Sequence, residues 1–165
     1  MSIAESARTY DRVMNLLQEH GVQYQVIDHL PEGRTDAASA ARGHPLSEAA
    51  KCMVIEVRVE RYALCVVPGN MRVDLDAVSR LYGGTRARLA PVDVAEDLTG
   101  CRQGTIVPFS FRPQELDLLA DPALLEKDQL YFNAARLDRS LAISARDFAQ
   151  VARPQLRSIA TPTMR

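Results

Sequence analysis

Residues 51–69 read KCMVIEVRVERYALCVVPG. Two apolar runs, CMVIEVRV and YALCVVPG, flank the short polar interruption ERY. Both runs are rich in β-branched residues and too short for a buried helix, so they are expected to form a hairpin at the centre of a sheet. The period of two then places Lys51, Met53, Ile55 and Val57 on one face. An ammonium that shares a face with three apolar residues belongs at the rim of a core or of a cleft. Of the twenty Lys and Arg residues, only Lys51 and Lys127 are lysine. Where arginine is the default cation, a lysine points to a task suited to a compact point charge rather than a planar fork. The alternative for Lys51 is a strand-end charge that snorkels to water. Lys127, in LLEKDQL, reads as solvated.

Outward from the hairpin, the other elements follow from periodicity and from stop signals. TYDRVMNLLQEHG places Val13, Leu16 and Leu17 on one stripe and ends at Gly21, which predicts a helix over about 9–20. VQYQVID alternates Val22, Tyr24 and Val26 against glutamines and predicts a half-buried strand ending at His29. RTDAASAARG predicts a short helix capped by Thr35 or Asp36, and PLSEAA a further turn. DLDAVSRLYGG predicts a helix led by Asp74 and closed by Gly83 and Gly84. TRARLA is expected to be a strand, and PVDVAEDLTG a helix opened by Pro91 and closed by Gly100. ELDLLAD and QLYFNAARLDRSLAIS contain three further strands, the last two a hairpin through NAARLDR. ARDFAQVAR is a closing helix, and the tail 154–165, with Pro154 and Pro162, is expected to be frayed. Several connections are too short for parallel crossovers. The fold class expected is α/β of the α+β type: a mixed, mostly antiparallel sheet surrounded by helices, in one domain over 1–165.

Composition narrows the function. The net charge is −1 and 47% of residues are hydrophobic. This excludes a protein that coats nucleic acid by bulk charge, though not a local basic rim. No apolar run reaches the ~20 residues of a membrane span, and the charged N-terminus lacks the apolar core of a signal peptide. Cys52, Cys65 and Cys101 form no CxxC or zinc spacing. An odd count with no export signal implies reduced thiols and a cytoplasmic protein. Cys52 and Cys65 read as small buried hydrophobes. Cys101 is the one conceivable nucleophile, but it follows a helix C-terminus, which does not lower a thiol pKa.

The segment GCRQGTIVPF, 100–109, is the second unusual stretch. Gly100 and Gly104 free the backbone at two points, and Pro108 removes an amide donor. It reads either as a surface turn leading into an edge strand or as a loop whose peptide groups contact a ligand. In both cases a helix exit is followed by a loop and then a strand.

The order VIDH, TDAASAA, AAKCMVIEV, YALCVVPGNMRVDL, GCRQGTIVPF and DRSLAIS resembles the YbaK and prolyl-tRNA-synthetase-associated domain family, from about Val22 to Phe148. Its members hydrolyse aminoacyl-tRNAs that carry the wrong amino acid, as editing domains or as free-standing trans-editing factors. The resemblance implies that Lys51 borders the substrate pocket. It also implies that Gly104, Thr105, Ile106, Val107 and Pro108 form the GxxxP loop, whose backbone positions the ester carbonyl and the terminal ribose. Lys51, Gly104, Thr105 and Pro108 are the implied catalytic group. His29, Ile106, Val107, Asp138 and Ser140 are the implied substrate-binding residues. NAARLDRSLAI has no histidine where some alanine-editing relatives carry one. Backbone amides, water and the tRNA's own terminal hydroxyl would do the chemistry, with no cofactor or metal. The partners implied are the acceptor end of a mischarged tRNA and an aminoacyl-tRNA synthetase. Arg34, Arg42, Arg72, Arg102 and Arg136, near element ends, are candidates for a basic rim. A catalytically weak relative that only binds tRNA ends, and a thiol hydrolase using Cys101, are the competing possibilities.

Overall fold

The computed structural model describes residues 1–163. The expected hairpin forms its centre: β2 (Ala50–Arg58) pairs antiparallel with β3 (Arg61–Pro68), and Lys51 lies opposite Val67. The turn is Val59–Glu60, with Glu60 at φ +58°. β3 is buried on both faces, which explains its unbroken apolar run. Leu64 and Val66 enter the main core with Val54, Leu116, Leu130, Phe132, Leu141 and Phe148. Ala63, Cys65 and Val67 enter a second core on the other face with Ile55, Val57, Val78, Leu119 and Ile159.

The strands divide into three sheets rather than the single one expected. The five-stranded sheet has the order β5-β2-β3-β6-β9, with β5 (Arg88–Leu89), β6 (Leu116–Ala120) and β9 (Gln155–Leu156). β6 runs parallel to β3 and β9 parallel to β6. β1 (Tyr24–Asp28), β7 (Gln129–Asn133) and β8 (Arg139–Ser144) form an antiparallel sheet in the order β1-β8-β7, as the predicted second hairpin requires. A single parallel bridge from Ala49 to Tyr131 brings the start of β2 against β7. That bridge places Lys51 near the end of the second hairpin. The third sheet pairs β4 (Met71–Val73) with β10 (Ala160–Pro162).

The helices are α1 (Ile3–Glu19), α2 (Thr35–Arg42), α3 (Leu75–Leu81), α4 (Val92–Thr99) and α5 (Ala145–Ala152). α1 starts six residues before the expected 9, because Ser2 and Glu5 close a capping box there. α2 is capped by Arg34 with no side-chain bond, not by Thr35 or Asp36. The β1 segment begins at Tyr24 and lies at a sheet edge, and Val26 is exposed rather than half-buried. TRARLA contributes only two strand residues. Thr105–Phe109 is not a strand: it is irregular, with Val107, Pro108 and Phe109 buried.

The tail is not frayed over 155–162, where β9 and β10 extend two sheets; Met164 and Arg165 lie outside the described residues. Asp121 explains its order. This buried carboxylate accepts hydrogen bonds from Ile159 N at 2.9 Å, Ala160 N at 2.8 Å and Ala123 N at 2.9 Å. Removing it strands buried backbone donors at both places. Asp121→Ala is expected to lower unfolding stability by roughly 3 kcal/mol in denaturant titration. A loss below ~1 kcal/mol would show that the tail is held by its strand pairing alone.

Candidate functional site

A cavity of about 330 Å³ opens where the two hairpins meet. Its walls come from the loop before α2 and α2 itself (Gly33, Thr35, Arg42), from the first half of β2 (Ala50–Val54), from α4 and its approach (Ala90–Glu96), from the loop after α4 (Gln103, Gly104, Ile106) and from the end of β7 (Tyr131–Asn133). This volume lies at the lower end of small-ligand sites.

Lys51 is half-buried on the β2 wall, with Nζ 3.5 Å from Gly69 O and no carboxylate partner among the described residues. Burial lowers its pKa from the ordinary lysine value. Gly104 stands at φ +87° and packs directly against the Gly33 backbone; a Cβ built on it would lie 2.9 Å from Gly33 Cα. The two glycine segments therefore meet as bare backbone.

Asn133 joins them. Its Nδ2 donates to Glu32 O at 2.8 Å and to Gly104 O at 3.0 Å. Its Oδ1 accepts from Arg42 Nη1 at 3.1 Å and lies 2.9 Å from the Ser140 hydroxyl. Arg42 is a half-buried guanidinium whose partners among the described residues are all neutral: Asn133, Ser140, Ser39 and His44. Burial pushes its pKa down to about 10. His44 accepts from Arg42 Nε through Nε2 at 2.9 Å, so its proton sits on Nδ1, which donates to Pro45 O at 2.8 Å. The ring stacks on Tyr131 with centroids 3.8 Å apart, and burial lowers its pKa, which favours this neutral form.

Residues 31–151 match the family model of the aminoacyl-tRNA editing domain. The chain belongs to that family. The editing domain is a hydrolase of aminoacyl-tRNA esters, as the resemblance implied. A multifunctional Ser/Thr-tRNA deacylase of Escherichia coli K12, ProXp-y, is 36% identical over 158 residues, covering 93% of this chain and 94% of that one. Among solved structures, a hypothetical protein superposes with a TM-score of 0.81 at 22% identity, covering 90% of this chain and 99% of its own. A candidate trans-editing enzyme for prolyl tRNA synthetase superposes with a TM-score of 0.79 at 22% identity, covering 93% and 97%. These two likenesses carry the fold.

The editing-domain cavity gathers only part of the predicted set. Lys51, Gly104, Ile106 and Arg42 line it. Thr105 does not: it is buried, and its N and Oγ1 both donate to Arg102 O, closing the turn. Val107 and Pro108 face the core because the chain past Gly104 dives inward instead of running on as an edge strand. Ser140 and His29 stand behind the wall, with His29 Nε2 2.7 Å from Ser140 Oγ. Asp138 is held by Arg136 in a two-point ion pair at 2.9 and 3.2 Å, and its carbonyl accepts from His29 N.

The basic rim is likewise thinner than expected. Arg34 pairs with Asp36 at 2.8 Å, Arg136 with Asp138, and Arg42 lies in the wall. Arg72 and Arg102 are exposed and without an ion pair among the described residues. Among the lining residues not foreseen from the sequence are Gly33, Thr35, Glu96, Gln103, Tyr131 and Asn133. Glu96 carried a signal, since a carboxylate in the last turn of a helix opposes the helix dipole.

The glycine contact has a measurable asymmetry. Gly104→Ala combines positive φ with a backbone collision, whereas a Cβ on Gly33 meets Leu137 Cδ2 at 3.2 Å and Gly104 Cα at 3.4 Å. Gly104→Ala is expected to cost stability by more than ~1 kcal/mol, and Gly33→Ala clearly less, in paired thermal and denaturant unfolding. Equal losses would mean that the loop yields freely and that the close approach is not what Gly104 supplies.

Proposed function

We propose that the chain acts in trans on tRNA misacylated with serine or threonine, and that this cavity holds the aminoacyl end. The observation that carries the site assignment is the presence of Lys51 and the Gly104 loop on the walls of one cavity. The amino-acid preference is supported by the Ser/Thr-tRNA deacylase relative at 36% identity. A small cavity whose wall includes five alanines, with Cys52 and Val54, suits a short side chain. Action in the cytoplasm, beside an aminoacyl-tRNA synthetase, completes the proposal.

An aminoacyl ester is already activated, so the protein need only orient it, stabilise the oxyanion and admit a water. The N–H groups of Gly104 and Ile106 have no hydrogen-bond partner among the described residues and are the proposed oxyanion donors. Lys51 supplies positive charge where negative charge develops. The terminal tRNA hydroxyl orients the attacking water. Thr105, Val107 and Pro108 act by shaping the turn, and Ser140 and His29 by backing Asn133. A thiol mechanism is disfavoured: Cys101 is fully buried, and burial pushes its pKa up to about 11. Cys52 reaches the wall, but burial raises its thiol pKa as well.

A deacylation panel of mischarged tRNAs tests the proposal, with seryl and threonyl esters expected to be cleaved fastest. Binding without turnover on every ester would establish the tRNA-binding module instead. Lys51→Ala is expected to reduce kcat/KM at least about tenfold with little change in thermal unfolding. Lys51→Arg is expected to be impaired as well, because the fork does not reproduce the ammonium. Near-normal turnover in Lys51→Ala would remove this residue from the chemistry.

With few unpaired rim arginines, tRNA affinity should fall only shallowly with salt. The expected slope of log K against log salt corresponds to about two or three phosphates, read by filter binding across a salt series. A slope several times steeper would contradict a footprint confined to the acceptor end.

A further inference from the structure

We propose that Glu96 receives the substrate's α-ammonium and so makes the reaction selective for esters with a free amine; this rests on the deacylase reading of the cavity. Every aminoacyl ester carries a basic amine, cationic in its ammonium form, on the carbon next to the scissile carbonyl. A site that holds such a group in a partly desolvated cavity requires an anion or a set of acceptors there. Glu96 is the one carboxylate among the cavity-lining residues, and the other charged groups of the wall, Lys51 and Arg42, are cations.

Its position fits the substrate's geometry. Glu96 Oε2 accepts the backbone N–H of Gln103 at 2.9 Å, and Gln103 directly precedes Gly104. A carboxylate tied to the residue before the proposed oxyanion loop stands beside the carbonyl it must serve. The ammonium to be bound is one carbon from that same carbonyl. Oε1 has no partner among the described residues, and Glu96 forms no ion pair with any of them. Beyond this one hydrogen bond, a negative charge is locally unfavourable here, since the last turn of α4 is the negative end of its dipole. Bound ammonium would be neutralised by Glu96 while Lys51 and the loop amides remain available to the developing oxyanion.

Glu96→Gln separates charge from position. The glutamine carbonyl can still accept from Gln103 N–H, so the loop stays anchored while the negative charge is lost. The full chain is assayed on seryl-tRNA and on its isosteric α-hydroxyacyl analogue, in which a hydroxyl replaces the amine, each corrected for spontaneous hydrolysis. The native protein is expected to prefer the amino ester, and Glu96→Gln to lose about tenfold in kcat/KM on that ester while the hydroxy ester stays nearly unchanged. The ratio between the two substrates does not depend on the folded fraction, so a partly unfolded variant still reports. Equal losses on both esters would reduce Glu96 to a loop anchor and overturn the proposal, as would no loss on either. A native chain that cleaves both esters equally well overturns it too. A native chain that cleaves neither overturns the deacylase reading itself, and this proposal with it.

Discussion

The site depends on one carboxamide. Asn133 ends β7, and all its hydrogen-bonding capacity is spent on holding other segments: two carbonyls from loops on either side of the cavity, a guanidinium and a hydroxyl. Because it is buried, each of these bonds replaces one that water would otherwise provide, and losing any leaves a partner unsatisfied. The loop before α2 is tied to the same hairpin a second time, through His29 N to Asp138 O and Glu32 N to Leu137 O. The geometry of Gly33 against Gly104 follows from these bonds and from the absence of side chains at the contact.

The second constraint is electrostatic. Arg42 is held in the wall by neutral acceptors alone, an arrangement that costs desolvation without the return of an ion pair. Stability does not account for it. It leaves an uncompensated positive charge in a cavity that also holds Lys51, facing one carboxylate. The charged lining of the cavity is thus net positive even though the chain as a whole is nearly neutral. The neutral tautomer of His44 belongs to the same design, since only an unprotonated Nε2 can accept from Arg42.

What the sequence disclosed was set by how local each feature is. The central hairpin and the helix between Pro91 and Gly100 follow from short-range pattern, and both are present; that Lys51 and Gly104 line one cavity was implied only by the family resemblance. Asn133 left no trace, because one asparagine at a strand end looks like any turn residue until its distant partners are in place. The strand expected over Thr105–Phe109 failed for a related reason: a β-branched run after a glycine has the pattern of a strand, and only the core waiting behind it turns it inward. The pairing of Arg34 with Asp36 and of Arg136 with Asp138 was written in the two-residue spacing, and counting nearby acids would have thinned the predicted rim. The tail found order through Asp121, nearly forty residues upstream, beyond the reach of any local pattern.

The contact of Gly33 with Gly104, fastened by Asn133, also bears on how the protein comes into being. The three segments are far apart along the chain, and β1 must cross to β8 before the first loop can be clasped. Loop closures of this length are slow steps in folding. The cavity therefore depends on long-range closures, whereas the β2–β3 hairpin at the core is a local contact. Opening of the β1–β8 seam would separate the glycines while leaving the β2–β3 centre intact, so the shape of the cavity is a more stringent reporter of the native state than secondary structure.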